Sequence, residues 1–142
     1  MITLDTSALI KLVLNEENSD IARGIYKKEL AMRERILVPY LILPESLNTL
    51  WKYHTLKREL NDEKFESTLN DLLSIFNKLE KVQESSIAKL ASEVAHVHKL
   101  PAYDSIYVAI SRLNNAPLLT FDEPIAKRAK DLEVKLAWKP SL

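Results

Sequence analysis

The sequence predicts an α/β fold of three layers: a short parallel central sheet of about four or five strands with helices on both faces. Short apolar or β-branched runs alternate along the chain with longer segments whose apolar residues recur at 3- and 4-residue spacing. That alternation is the mark of parallel strands joined by helical crossovers. At 142 residues the chain is long enough for one buried core, and no stretch has the composition of a linker, so one domain over residues 1–142 is expected.

Ile2 to Leu4 form the first strand, and the apolar run from Thr6 to Leu14 a helix. A second helix covers Asp20 to Leu30. Ile36, Leu37 and Val38, closed by Pro39, make a second short buried strand. The long helix that follows carries Leu43, Leu47, Leu50, Trp51 and His54 on one face, with Pro44 in its first turn, where a missing N–H is tolerated. Asn61 and Asp62 open the clearest amphipathic helix, with the stripe Phe65, Leu69, Leu72, Leu73, Phe76. Lys81 to Gln83 read as a minor strand, and Ser85 to His98 as a helix with Ile87, Leu90, Ala91 and Val94 inward. Beyond Pro101 come a helix from Tyr103 to Leu113, a strand from Pro117 to Phe121, a helix from Glu123 to Leu132 and a last strand from Val134 to Ala137.

The chain has one glycine, Gly24. Walker and dinucleotide cradles need several glycines in a short loop, so no nucleotide cofactor site is expected. Lys and Arg balance Asp and Glu at 20 each, and a net charge of zero offers a polyanion no global attraction, which disfavours a dedicated DNA-binding module. The bases sit in small groups among acids, as at Lys27 and Lys28, Lys57 and Arg58, or Lys127, Arg128 and Lys130, which is how solvated helix faces read. Without cysteine there are no disulfides and no thiolate metal sites. No apolar run approaches the ~20 residues that span a bilayer, and the N-terminus lacks a basic segment followed by a long apolar one, so a cytoplasmic location without membrane contact is expected.

Asp5 stands where the first strand hands over to its helix, and Asp122 stands between the strand LLTF and EPIAKRAKDL. Taken singly, each reads as an N-cap accepting backbone N–H bonds. As a pair they say more. Strands of one parallel sheet end along one edge, the edge where ligands bind, so the two carboxylates share it and raise each other's pKa unless a cation intervenes. Asp104 in LPAYDSIYVAI and Glu45 in VPYLILPESLNTL stand in first turns of helices, where acids are common because they complement the helix dipole.

The segments TLDTS, PESLNTL, YDSIYVAIS and LLTFDEPIAKRA, in that order over essentially the whole chain, resemble the PIN domain and, within it, the VapC-like toxins. The resemblance implies four acids around one or two Mg²⁺ or Mn²⁺ ions in an endoribonuclease that cuts RNA in single-stranded regions. By position those acids are Asp5, Glu45, Asp104 and Asp122. The accompanying hydroxyl falls on Thr6 or Ser7 at the first motif and on Thr120 at the fourth; Asn48 takes the polar position one turn after Glu45. Glu123 is either a supplementary ligand or a first-turn acid. The same resemblance implies the toxin component of a type II toxin–antitoxin pair, a small antitoxin partner and a homodimer.

Hydrolysis of a phosphodiester needs a nucleophilic hydroxide, neutralisation of transition-state charge and stabilisation of the leaving oxygen, all within the reach of divalent ions held by oxygen ligands. Asp5 and Asp104 are the expected direct ligands; Glu45 positions or deprotonates a water, and Asp122 supports a second ion or a ligand water. His96 and His98 point about 200° apart on a helix and cannot grip one ion. Ser7, Ser46 and Ser105 have no usefully placed histidine. Tyr103, Tyr107, Trp51 and Trp138 are core residues or base-stacking platforms, with core the commoner reading, and Lys11 is a solvated lysine or a phosphate contact. Two other functions compete. A Mg-dependent phosphatase of similar build requires Asp-x-Asp where this chain has Asp5, Thr6, Ser7, and a PIN-like binding partner would not need all four acids.

Overall fold

The computed structural model describes residues 1–140. Four strands, all parallel, form one sheet: β1 (Ile2–Leu4), β2 (Ile36–Pro39), β3 (Glu80–Val82) and β4 (Leu118–Leu119), in the order β3-β2-β1-β4. The helices are α1 (Thr6–Val13), α2 (Ser19–Ala31), α3 (Ile42–Trp51), α4 (Asp62–Lys78), α5 (Glu84–His98), α6 (Ala102–Asn114) and α7 (Glu123–Lys127), with a π-helical turn at Lys52–Leu56 directly after α3.

Alternation along the strands decides which helices lie on which face. Ile36 and Val38 pack with Leu9, Ile42, Leu50 and Leu72 from α1, α3 and α4. Leu37, between them, packs with Ile87 and Ala91 of α5 and Ala109 and Ile110 of α6. The result is three layers, with α1 to α4 on one side and α5 with α6 on the other. From β1 the chain moves one way across the sheet to β2 and β3, then returns past β1 to β4. The seam between β1 and β4 is therefore the point at which strand order reverses, and in such sheets that crevice opens at the carboxyl ends.

Several elements differ from the sequence reading. The buried face of α3 is Ile42, Ser46 and Leu50, while Leu47 and Trp51 are exposed at 39% and 45%. Leu43 is half-buried, and His54 lies in the π-helical turn, its ring stacked on Phe65 at 4.4 Å. On α4 the inner positions are Thr68 and Leu72; Leu73, expected inside, is exposed. β3 begins one residue earlier than expected, and α7 stops at Lys127, giving way to turns. Val134 to Ala137 form no full strand. That segment meets β4 through a single parallel bridge, Leu118 to Leu136, with the Leu118 N–H on Lys135 O at 2.8 Å and the Ala137 N–H on Leu118 O at 2.9 Å.

His98 ends α5 in a fixed tautomer. Its Nε2 lies 3.2 Å from Arg112 Nη2, and a guanidinium only donates, so Nδ1 carries the hydrogen and gives it to Asp131 at 3.2 Å. The chain has six left-handed turn positions among the described residues, Asn18, Arg33, Arg58, Lys99, Asn115 and Glu133, and none is glycine. Gly24 lies within α2, solvent-exposed, with open space where a Cβ would go. No helix among the described residues is long and apolar enough to cross a membrane.

Candidate active site

Asp5 directly follows β1, and its backbone N–H reaches Leu119 O of β4 at 3.2 Å, so the carboxylate projects at the seam itself. It caps α1: Oδ1 accepts the Ala8 N–H at 3.0 Å and the Ser7 hydroxyl at 2.6 Å. Oδ2 accepts the Thr120 hydroxyl from beyond β4. Of about four lone-pair directions on a carboxylate, three are taken and one on Oδ2 remains open. The two hydroxyls are relays as well as donors, because Ser7 Oγ accepts the Phe121 N–H at 2.8 Å and Thr120 Oγ1 accepts the Asp122 N–H at 3.1 Å. Two strand ends are thus bolted together through Asp5.

Glu45 enters from the first turn of α3. Its Oε1 lies 3.0 Å from Thr6 Oγ1 and 2.5 Å from the Tyr107 hydroxyl of α6, and those two hydroxyls are 3.0 Å apart. Two hydroxyl protons serve these three contacts; with both aimed at the carboxylate, Oε1 is fully engaged and Oε2 has no side-chain donor among the described residues. Asp104, in the first turn of α6, is part-buried. Asp122 caps α7 through Oδ1, which accepts the Ile125 N–H at 3.3 Å, and the residue is exposed.

The four acids feel one another. Burial, the largest cause, pushes Asp5 up to about 6 against the pull of its three donors, and the Asp122 charge adds to the rise. Burial also raises Asp104, followed by the charges of Asp122 and Glu45. Burial and the Glu45 carboxylate drive Tyr107 far up, so its hydroxyl stays a donor. Among the described residues no cation pairs with any of the four acids. Nor do any three carboxylate or imidazole groups close into a ready-made metal cage. Mg²⁺ does not require one, since it keeps several waters and takes one or two carboxylates. Hard oxygen donors, mutually repelling and without a counter-ion, are a donor set that fits such an ion.

The remaining sequence candidates divide. Thr6, Ser7 and Thr120 lie within the network. Asn48 is exposed one turn beyond Glu45. Glu123 points to Lys127 at 2.8 Å, which holds its carboxyl below the usual range. Lys11 binds Glu16 at 3.1 Å and the carbonyl of Glu17 at 2.7 Å. Tyr107 is the group that sequence reasoning undervalued: its ring is core, 4% exposed, but its hydroxyl holds Glu45. The available signal was its place three residues after Asp104, on the same face of α6.

Acids gathered at the switch point of a short parallel sheet, with hydroxyls wiring two strand ends together, define an α/β fold with an acidic notch. A family model described as PIN domain matches residues 2–131, and the chain belongs to the PIN domain family. PIN domains are generally nucleases, and this is the fold of metal-dependent members of that class. The crystal structure of PAE2754 from Pyrobaculum aerophilum is similar in fold, with a TM-score of 0.63 and 20% identity over 89% of this chain and 78% of that one. No curated protein matches the sequence.

Proposed function

We propose that this chain, as one PIN domain over residues 1–142, is a Mg²⁺- or Mn²⁺-dependent endoribonuclease. We further propose that it is the toxin of a type II toxin–antitoxin pair, a cytoplasmic homodimer restrained by a small antitoxin. The observation that carries the nuclease reading is the unpaired acidic notch, in which Asp5 and Asp104 are both raised by burial and by neighbouring carboxylates. The toxin reading rests on the four ordered motifs that resemble VapC-like proteins.

In this reading Asp5 and Asp104 would hold the divalent ion directly and Asp122 would support a second ion or a ligand water; the metal would supply charge neutralisation at the phosphate and a nucleophile at neutral pH. Asp5 is oriented for that role by Ser7, Thr120 and the Ala8 N–H, which fix both oxygens and leave one lone pair free. Glu45, anchored at Oε1 by Thr6 and Tyr107, offers Oε2 to position the attacking water and take its proton. Purified protein should cleave single-stranded RNA with Mg²⁺ or Mn²⁺ and stop when EDTA is added; cleavage undiminished by EDTA would overturn the mechanism. For the toxin role, induced expression should arrest growth and Asp5→Asn should relieve the arrest.

A further inference from the structure

Lysines that are scattered in the sequence meet beside the site. A cavity of about 1020 Å³ runs from Thr120 and Phe121 past α7 to the C-terminal segment. Lys11, Lys127, Lys130, Lys135 and Lys139 line it against two glutamates, Glu17 and Glu123. Glu123 is engaged by Lys127 and Lys11 by Glu16, so Lys130, Lys135 and Lys139 remain exposed and, among the described residues, without an acidic partner. The apolar part of the wall combines aliphatic residues such as Val134 and Leu136 with the rings of Phe121 and Trp138, both half-buried, with centroids 5.0 Å apart and planes tilted by 31°. Phe121 stands between Thr120 and Asp122, and its N–H is held by Ser7, so this aromatic pair is fixed directly to the acidic notch. A smaller cavity of about 310 Å³, lined by Thr6, Ser7, Thr49 and Tyr53, shares Lys11 and Phe121 and carries the trough across the start of α1.

Three exposed ammonium groups without an acidic partner among the described residues, in one cavity with an aromatic pair, fit a single-stranded polynucleotide, whose phosphates seek the charges and whose unpaired bases offer faces to stack. A duplex hides those faces. We propose that this trough seats the single-stranded RNA flanking the scissile phosphate, with a base stacked on Trp138 and Phe121 and the backbone running along Lys130, Lys135 and Lys139. The inference rests on the ribonuclease reading and adds the substrate subsite to it.

The test is equilibrium binding of a short fluorescein-labelled oligouridylate to the full chain in EDTA, where no cleavage intervenes. Trp138→Ala should weaken binding about ten-fold, and Trp138→Phe should restore most of it. The pair Lys130→Gln with Lys135→Gln, both exposed and so harmless to the fold, should reduce the slope of log K against log salt by about 1.4. A duplex of the same length should bind without dependence on Trp138. Wild-type affinity and salt slope in the lysine pair would overturn the proposal, as would equal Trp138 dependence for duplex and single strand. Loss of oligoglutamate binding in these variants, with oligouridylate binding intact, would overturn it in favour of a protein partner. Hydrolysis of bis(p-nitrophenyl) phosphate with Mn²⁺ separates the two readings, because that substrate is too small to need the trough. Hydrolysis alongside groove-independent RNA binding sinks the trough alone. Groove-dependent RNA binding without hydrolysis of any phosphodiester supports the trough and sinks the ribonuclease.

Discussion

Asp5 and Asp122 hold the same position in their local chain: each follows a strand of one parallel sheet and caps the next helix. Their surroundings are opposite. Asp5 is ringed by three donors and so desolvated that its carboxyl rises to about 6, whereas Asp122 is exposed and keeps one N–H bond at 3.3 Å. Capping at this edge therefore uses one carboxylate oxygen and leaves the other for further contacts. Burial is what separates the two acids, and it concentrates the electrostatic tension of the notch on Asp5 and Asp104.

The largest expected effect is on catalysis. Asp5→Asn should lower RNA cleavage by at least about 100-fold, against about 10-fold for Asp122→Asn. Equal losses, measured as kcat/KM, would dissolve the contrast. Next comes Tyr107→Phe, which keeps the ring in the core and removes the 2.5 Å donor to Glu45. Its kcat should fall about 10-fold with KM little changed, and stability should shift by no more than about 1.5 kcal/mol.

The pH dependence of metal-free stability sharpens the comparison further. The folded state holds the Asp5 proton more tightly than the unfolded chain, whose value is near the ordinary 3.8. The native form thus binds more protons between about 4 and 6, and stability increases as pH falls through that window and is lost as pH rises through about 6. The gain from Asp5 is at most about 3 kcal/mol, and Asp104 adds in the same direction. Thermal unfolding in EDTA should show this slope in the wild type, a clearly flatter one in Asp5→Asn, and a smaller flattening in Asp122→Asn, because Asp122 contributes least to the Asp5 shift and acts mainly through Asp104. The smallest effect is the metal-free stability of Asp122→Asn itself, neutral or slightly raised, since Asn caps as well as Asp. A clear loss there, with the Mg²⁺-induced rise in Tm intact, would place Asp122 outside the notch.

Local patterns made the strands, the helix order and the strand-end position of the acids readable, because β1, β2 and their following helices follow propensity without conflict. What was not readable was orientation. On α3 two large apolar residues, Leu47 and Trp51, outweigh the buried Ser46 in any count of hydrophobicity, yet Ser46 is the one inside, its hydroxyl without a partner among the described residues. On α4 Thr68 displaces Leu73 for the same reason. The final strand shrank to one bridge because only Leu136 meets Leu118. In the notch, the link between Tyr107 and Glu45 spans 62 residues, and no local spacing encodes it.

The glycine-poor turns bear on the other side of the folding equilibrium. A left-handed residue with a side chain costs roughly 1 kcal/mol in the native state, but it also stiffens the denatured ensemble, so less backbone entropy is surrendered on folding. At Arg33 and Glu133 the two effects oppose, and replacing either with glycine should alter stability by less than about 1 kcal/mol. Gly24 has no such balance. Its helical position uses none of glycine's freedom and a methyl group would meet open space, so Gly24→Ala should raise the urea midpoint by an increment worth about 0.5–1 kcal/mol. The most mobile residue of the unfolded chain thus sits where the folded chain has no use for it.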